Sequence, residues 1–101
     1  MNTNPPADTL MWEARARPGR QEELLDWVEQ TAVPALLAAG ACLGVSTYTG
    51  GQDRVVVIVH GTGAPPRLPD PPDDLLLRPV HQWPFRRHAT HHGPAPVTPG
   101  G

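Results

Sequence analysis

The sequence predicts a small α+β fold, in which helices cover one face of an antiparallel β-sheet. Apolar and polar residues alternate over residues 9–17, which is typical of a half-buried strand. From residue 20 the apolar residues recur with helical spacing instead. Residues 54–60 are apolar on both alternating sides, which indicates a central strand covered above and below. Strand and helix signals therefore follow one another within a chain short enough to form one domain.

Length and charge exclude several classes of protein. The 101 residues fit one domain, expected over residues 9–88, between a disordered N-terminus (1–8) and a flexible tail (89–101) containing Pro, Gly and His. The net charge is −2 without a block of like charge, which speaks against binding nucleic acid through its phosphates. No apolar run approaches the roughly 18–20 residues that span a bilayer, and the first residues lack the basic and apolar regions of a signal peptide. We expect a cytoplasmic protein that binds neither nucleic acid nor membranes.

The first strand ends at Pro18 and Gly19, and a helix follows. Within the strand, Trp12 points to one side of the sheet, and Glu13 and Arg15 point to the other. The helix carries its apolar residues on one stripe, which consists of Leu24, Leu25, Val28, Ala32, Ala35, Leu36 and Ala39.

Two residues predict how this helix ends. Pro34 has no N–H to donate to the carbonyl of Gln30, so we expect a kink or a separate last turn there. Gly40 then provides a natural C-terminal stop, because glycine readily adopts the left-handed conformation that is common after a helix.

A hairpin follows the helix, with strands over residues 42–48 and 54–60 joined by a turn that contains two glycines. The second of these strands is apolar on both sides, with Val55, Val57 and Val59 opposite Val56 and Ile58. The predicted helix covers only one side of this strand, so the other side needs a different cover.

The last third of the chain is divided by prolines, and ten of the fourteen lie at or after Pro65. Residues 61–72 contain five of them, which excludes regular structure. Residues 73–78 are predicted to form a turn or two of helix, anchored by Leu75, Leu76 and Leu77.

Residues 81–88 are predicted to form a fourth strand. Pro84 cannot donate a ladder hydrogen bond, so this strand belongs at the sheet edge or contains a bulge. We expect the side of this strand with His81, Trp83 and Phe85 to face the helical layer.

The predicted order is strand, helix, strand, strand, short helix, strand. A right-handed crossover makes the first two strands parallel with the third between them, and the fourth then pairs beside the first. The result is a ferredoxin-like α+β fold: a four-stranded antiparallel sheet with helices on one face. A second copy stacked on the bare face is the simplest cover for it.

Four segments carry a resemblance to a known family: WEARARPGRQEEL at 12–24, VPAL at 33–36, DRVVV at 53–57 and HQWPF at 81–85. Across residues 9–88 the chain resembles the dimeric α+β-barrel superfamily, in particular the antibiotic biosynthesis monooxygenase-like group. The resemblance implies a homodimer whose two sheets form a shared barrel, and a pocket for a small hydrophobic or aromatic ligand. It also implies oxygenation of an aromatic or polyketide-like metabolite in secondary metabolism, without a metal or organic cofactor.

Three residues are candidates for catalysis in such a barrel. Glu13 and Arg15 share the face opposite Trp12, and a carboxylate beside a guanidinium can orient a polar substrate and move a proton. A structural ion pair, or solvation at the barrel mouth, explains the same pair without catalysis. His60 ends the third strand and has an imidazole suited to a general base, although a hydrogen-bonded histidine at a strand end is more common.

Four residues are candidates for ligand binding: Trp27, Tyr48, Trp83 and His81. Tryptophan rings can stack on a flat ligand, and the Tyr48 hydroxyl can donate to a bound carbonyl. In a chain with five aromatic residues, however, the tryptophans are also the natural bulk of the core. His81 has an alternative role in holding a backbone carbonyl beside the helical layer.

The remaining candidates favour no metal or thiol chemistry. His88, His91 and His92 lie close together, but a Gly/Pro-rich tail does not preset metal geometry, so we expect adventitious binding or none. Cys42 is the sole cysteine, which excludes an internal disulfide, and it has no cationic neighbour in the sequence to activate it. The chain has no asparagine after Asn4 to match the one that the family's oxygenases use.

The absence of that asparagine favours an alternative function, which is a non-catalytic dimeric binding or accessory protein of the same fold.

Overall fold

The computed structural model describes residues 7–94, so the expectations for residues 1–6 and 95–101 lie outside the described residues. Within that range the chain forms β1 (Thr9–Arg15), α1 (Gln21–Trp27), a π-helical turn (Val28–Ala32), α2 (Val33–Ala38), β2 (Cys42–Gly50), β3 (Arg54–Gly61), a 3-10 turn (Asp73–Leu75) and β4 (His81–Phe85).

The four strands form one sheet in the order β2-β3-β1-β4, and every neighbouring pair is antiparallel. Trp12 at the centre of β1 lies opposite Val57 of β3 and opposite Gln82 of β4. The predicted α+β class, the strand order and the placement of the helix on one face are all confirmed. The structure is compatible with a ferredoxin-like fold.

The core lies between the sheet and the helical segment. The side chains facing the helices from β1 and β3 are almost fully buried, and those from the helices are equally so: Leu10, Trp12, Ala14, Val55, Val57, Val59, Leu24, Val28, Ala32 and Leu36. Burying each of the large side chains stabilises the fold by about 1.5–3 kcal/mol relative to its exposure to water. The alternation in β1 and most of the helical stripe thus form two halves of one core, whereas Ala35 and Ala39 of the predicted stripe are exposed.

The helical segment passes through Pro34 without a break. The predicted disturbance lies one turn earlier, where residues 28–32 widen into a π-helical turn between α1 and α2. Pro34 has no N–H for the carbonyl of Gln30, and its ring crowds that carbonyl, so the preceding turn opens to accommodate it. Gly40 follows α2 with φ of 83°, which confirms the predicted stop. No helix within residues 7–94 is long and apolar enough to cross a membrane.

The proline-rich segment, residues 64–72, covers the end of the core that the helices leave open. Leu68 is buried, and its N–H donates to Oε1 of Gln82 at 3.0 Å. The helix predicted over residues 73–78 is reduced to the 3-10 turn, because Leu76 forms an isolated bridge with Ala16 and the Leu77 N–H donates to the Arg15 carbonyl. Leu77 is exposed and does not anchor this segment.

β4 is shorter than predicted, and the orientation predicted for its side chains was wrong. Trp83 lies opposite Met11 of β1, and directly paired residues point to the same side of a sheet. His81, Trp83 and Phe85 therefore lie on the face away from the helices. On the other side of β4, Gln82 contacts the proline-rich segment through its hydrogen bond with Leu68. The pattern of residues 81–88 could not predict this contact, because the partner lies elsewhere in the chain.

Candidate functional site

The sheet face opposite the helices, called the open face here, combines apolar and charged side chains. Its aromatic residues are strongly exposed: Trp83 to 40%, Phe85 to 49% and Tyr48 to 51%. Between them lie three half-buried apolar side chains from β1 and β3, namely Met11, Val56 and Ile58. In a single chain this apolar surface has no cover from residues 7–94.

One end of the open face carries charged groups, called the basic end here: Glu13, Arg15, Arg54 and Arg78. Nη2 of Arg78 donates a hydrogen bond to Oε1 of Glu13, and Nε of Arg54 lies 3.7 Å from Oε2 of the same carboxylate. The Glu13 side chain is only 18% exposed. Its charge is therefore held between two guanidiniums in a partly dry setting, where ionic contacts are screened less than at the surface.

The predicted pairing of Glu13 with Arg15 has a different outcome. Arg15 shares the open face, but its Nε donates to the carbonyl of Gln52 at 3.2 Å, and Arg54 and Arg78 are the ionic partners of Glu13. Sequence reasoning missed both. The alternation of β3 gives a usable signal for Arg54, which shares a side of that strand with Val56 and Ile58 and lies opposite Arg15 of β1, whereas nothing local points to Arg78.

His60 lies on the open face but far from Glu13. It pairs with Thr9, four residues before Glu13 on β1, which corresponds to about 13 Å along the strand. Among residues 7–94, its buried Nδ1 has no hydrogen-bond partner, and the same holds for Nε of Arg54. The two candidate bases are thus at opposite ends of the face and cannot act on the same atom.

The candidate ligand-binding residues divide between the two sides of the sheet. Tyr48, Trp83 and His81 lie on the open face, where the His81 ring meets the Trp83 ring edge-on with centroids 5.4 Å apart. Trp27 lies on the helical side and stacks on Trp12, with ring centroids at 6.4 Å. The structure therefore places Trp27 in the helix–sheet core, apart from the other three.

A separate cleft of about 460 Å³ lies between the proline-rich segment and β4. Its lining consists of Arg67, Asp70, Asp73, Leu76, Arg78, Pro79, Val80 and Gln82. Two guanidiniums face two carboxylates there, so the formal charges balance. Sequence reasoning did not find this cleft, because it is built by a segment without periodicity.

The histidines of the tail and the single cysteine form no site in the described part of the chain. His88, His91 and His92 are exposed, and residues 7–94 contain no group of three or more side chains placed to hold a metal ion. Cys42 is half-buried and its Sγ lies 3.7 Å from the Gly44 carbonyl oxygen. Neither feature adds chemistry to the open face.

Comparison with known proteins adds no family to this description. No family model matches the chain, and no curated protein or solved structure matches it significantly. The structure of residues 7–94 is thus that of a small α+β protein, and within these residues helices cover one face of the four-stranded antiparallel sheet and not the other.

Proposed function

We propose that this protein binds a small apolar or aromatic molecule on the open face and works as a homodimer, in which a second copy covers that face. One observation carries the proposal: exposed aromatic rings lie beside a half-buried carboxylate held by guanidiniums. A mostly apolar surface with a few convergent polar groups is typical of small-molecule sites. This arrangement agrees with the resemblance to the antibiotic biosynthesis monooxygenase-like group of dimeric α+β barrels.

Two further features support a cover over the open face. Val56 and Ile58 are half-buried in the single chain, although they belong to the central strand β3. The buried Arg54 Nε and His60 Nδ1 lack hydrogen-bond partners among residues 7–94, and a buried unpaired polar group costs about 1–3 kcal/mol. A ligand or a second chain on this face covers the half-buried apolar side chains of β3.

The enzymatic form of the proposal is oxygenation of an aromatic or polyketide-like metabolite without a cofactor. Glu13 removes a proton from an activated methylene, and Arg15, two residues away on the same face of β1, stabilises the resulting anion. His60 is the base only for a substrate bound at the other end of the open face, where Arg15 does not reach. The anion reduces O2: the methylene carbon loses two hydrogens and gains one oxygen atom as a carbonyl, and the second oxygen atom leaves as water. The substrate supplies all four electrons, so no other reductant is needed.

The second candidate is a non-catalytic binding or accessory protein, and one contact favours it. Both oxygens of the Glu13 carboxylate are already engaged by cations, since Oε1 accepts a hydrogen bond from Arg78 and Oε2 lies 3.7 Å from Nε of Arg54. His60 lies on the open face but outside reach of that cluster. Binding on the open face does not require either group to accept a proton.

Oxygen uptake with a panel of anthrones and quinols separates the two candidates. Catalysis predicts turnover by the parent that falls at least about tenfold in Glu13→Gln or in His60→Ala. Glu29→Gln and His88→Ala are matched controls, because both residues are exposed and lie off the open face. If the parent and every variant take up oxygen only at the background rate, the enzymatic form is contradicted and the non-catalytic binding protein is the remaining candidate.

A further inference from the structure

We propose that the ligand of the open face is an organic anion, with a flat apolar body and a carboxylate or phenolate head bound by Arg54 and Arg78. The inference rests on the proposed function, because it uses the same face. It adds the charge of the ligand and the residues that recognise it, neither of which follows from an apolar surface alone.

The first support is the distribution of charge. The basic end holds three guanidiniums and one carboxylate, although the whole chain has a net charge of −2. The exposed carboxylates of the helical segment lie on the opposite side of the molecule: Glu22, Glu23, Asp26 and Glu29. Among residues 7–94, Glu13 is the one carboxylate in ionic contact with Arg54 or Arg78. Although Arg78 also borders the cleft with Asp70 and Asp73, the basic end carries more positive than negative charge, and this end of the open face attracts anions.

The second support is the number of hydrogen-bond donors. A guanidinium has five N–H groups, and those of Arg54 and Arg78 converge on a single carboxylate. The Arg54 side chain is 40% exposed and that of Arg78 is 37% exposed, so both guanidiniums remain accessible to a ligand. A second carboxylate on this cluster accepts two parallel N–H donors from one guanidinium, which is the geometry that arginine recognises best.

The third support is the distance from the charges to the apolar surface. Met11 precedes Glu13 by two residues on the same face of β1, which corresponds to about 6.6 Å. Trp83 lies opposite Met11, and His81 lies opposite Glu13. An anionic head at the basic end thus places one or two aromatic rings over Met11 and Trp83.

Binding of three matched probes to the full chain tests the inference: 2-naphthoate, the neutral 2-naphthalenemethanol and the cationic 2-naphthylmethylammonium. Calorimetric titration is expected to show naphthoate binding at least about tenfold more tightly than the alcohol, and the ammonium compound most weakly. Arg54→Gln and Arg78→Gln are each expected to weaken naphthoate binding about tenfold and to leave the alcohol unchanged. Trp83→Ala weakens both the naphthoate and the alcohol, since both use the ring surface.

Arg67→Gln is the matched control, because it removes the same charge from the separate cleft. Circular dichroism checks that each variant is folded. If a glutamine variant is not folded, the corresponding lysine variant decides: it keeps the charge but loses the two-donor fork, and a several-fold loss for naphthoate alone is expected.

Three outcomes overturn the inference, and they are distinguishable from one another. Equal affinity for naphthoate and the alcohol, lost in Trp83→Ala, shows that the face binds a neutral ligand; the proposed function then stands without the anion. If Arg67→Gln loses as much affinity for naphthoate as Arg54→Gln does, the anion binds in the cleft and not on the open face. No binding of any probe at millimolar concentration contradicts both the anion and a ligand site for such compounds on the open face.

Discussion

Arg78 donates a hydrogen bond to the carboxylate of Glu13, although 65 residues separate the two in the chain. The contact fastens the segment after the 3-10 turn to β1 and gives Glu13 its second cationic neighbour besides Arg54. Arg78 also lines the cleft beside the proline-rich segment. One guanidinium therefore borders both the open face and the cleft.

The Glu13–Arg78 contact is expected to contribute measurably to stability. In a double-mutant cycle with Glu13→Gln and Arg78→Gln, we expect a coupling of about 1 kcal/mol from urea unfolding, because Glu13 is largely shielded from water. The exposed Arg20–Glu23 pair, with N and O 2.7 Å apart, is the matched control and is expected to couple less. Equal couplings for the two pairs contradict the shielded setting of Glu13.

The helix–sheet core predicts a large difference between two leucines of the same helical segment. Leu24→Ala removes a fully buried side chain and is expected to lower the free energy of unfolding by about 3 kcal/mol. Leu37→Ala changes a side chain that is 56% exposed, and a loss of less than about 1 kcal/mol is expected. Thermal or urea unfolding followed by circular dichroism measures both values. Similar losses in the two variants mean that the helix packs through a different face.

A glycine at the end of β3 is expected to tolerate no side chain. A Cβ at Gly61 lies 2.8 Å from the Gly63 carbonyl oxygen and 2.9 Å from that of Ala41, and both neighbours are backbone atoms. We expect Gly61→Ala to destabilise the fold by about 1–3 kcal/mol through this overlap. Gly51→Ala is the control, because no atom lies within 4 Å of a Cβ there. Equal unfolding midpoints for the two variants contradict the close approach at Gly61.

The link between Asp8 and the end of β4 predicts a pH-dependent part of the stability. Oδ1 of Asp8 accepts two hydrogen bonds, one from the Arg87 N–H at 2.8 Å and one from the Thr9 hydroxyl at 3.0 Å. These bonds, and the one from Arg87 most of all, lower the pKa of Asp8 below its ordinary value of 3.8. The folded state therefore favours the charged carboxylate. This contribution to stability is present above the unfolded pKa and is lost as the pH falls through the lower, folded pKa.

Asp8→Asn is expected to be less stable than the parent near neutral pH, and the difference is expected to shrink as the pH falls below about 4. Urea unfolding at a series of pH values measures it. Asp70→Asn controls for the loss of one negative charge, since Asp70 lies exposed on the proline-rich segment. A difference between Asp8→Asn and the parent that grows with acidity has the wrong sign for these hydrogen bonds.

The proposed homodimer predicts the mass of the particle in solution. Light scattering of the parent is expected to give twice 10.9 kDa. Ile58→Asp places a charge at the centre of the open face and is expected to dissociate or unfold the dimer. Leu37→Asp on the exposed side of the helix is the control and is expected to keep the parent's mass. If the parent is a folded monomer at every concentration tested, the proposed dimeric barrel and its shared pocket are contradicted.

Sequence alone determined the class of fold, the strand order and one side of the core. Those features rest on local patterns: the alternation of β1, the continuous apolar run of β3, the stripe on the helix, and glycines where the chain must turn. The position of Pro34 predicted a disturbance of the helix, and the structure shows it as a π-helical turn at Val28–Ala32.

Only the tertiary structure decided which side chains share the open face and what they contact. The sides of β4, the pairing of Glu13 with Arg54 and Arg78, the core position of Trp27 and the cleft beside the proline-rich segment all depend on contacts between distant parts of the chain. Residues 64–72 have no period from which their place could be predicted, because extended proline-rich chain forms no repeating internal hydrogen bonds. The position of this segment is determined by the burial of Leu68 and by the hydrogen bond from its N–H to the side-chain amide oxygen of Gln82. Neither contact can be predicted from the spacing of side chains within the segment.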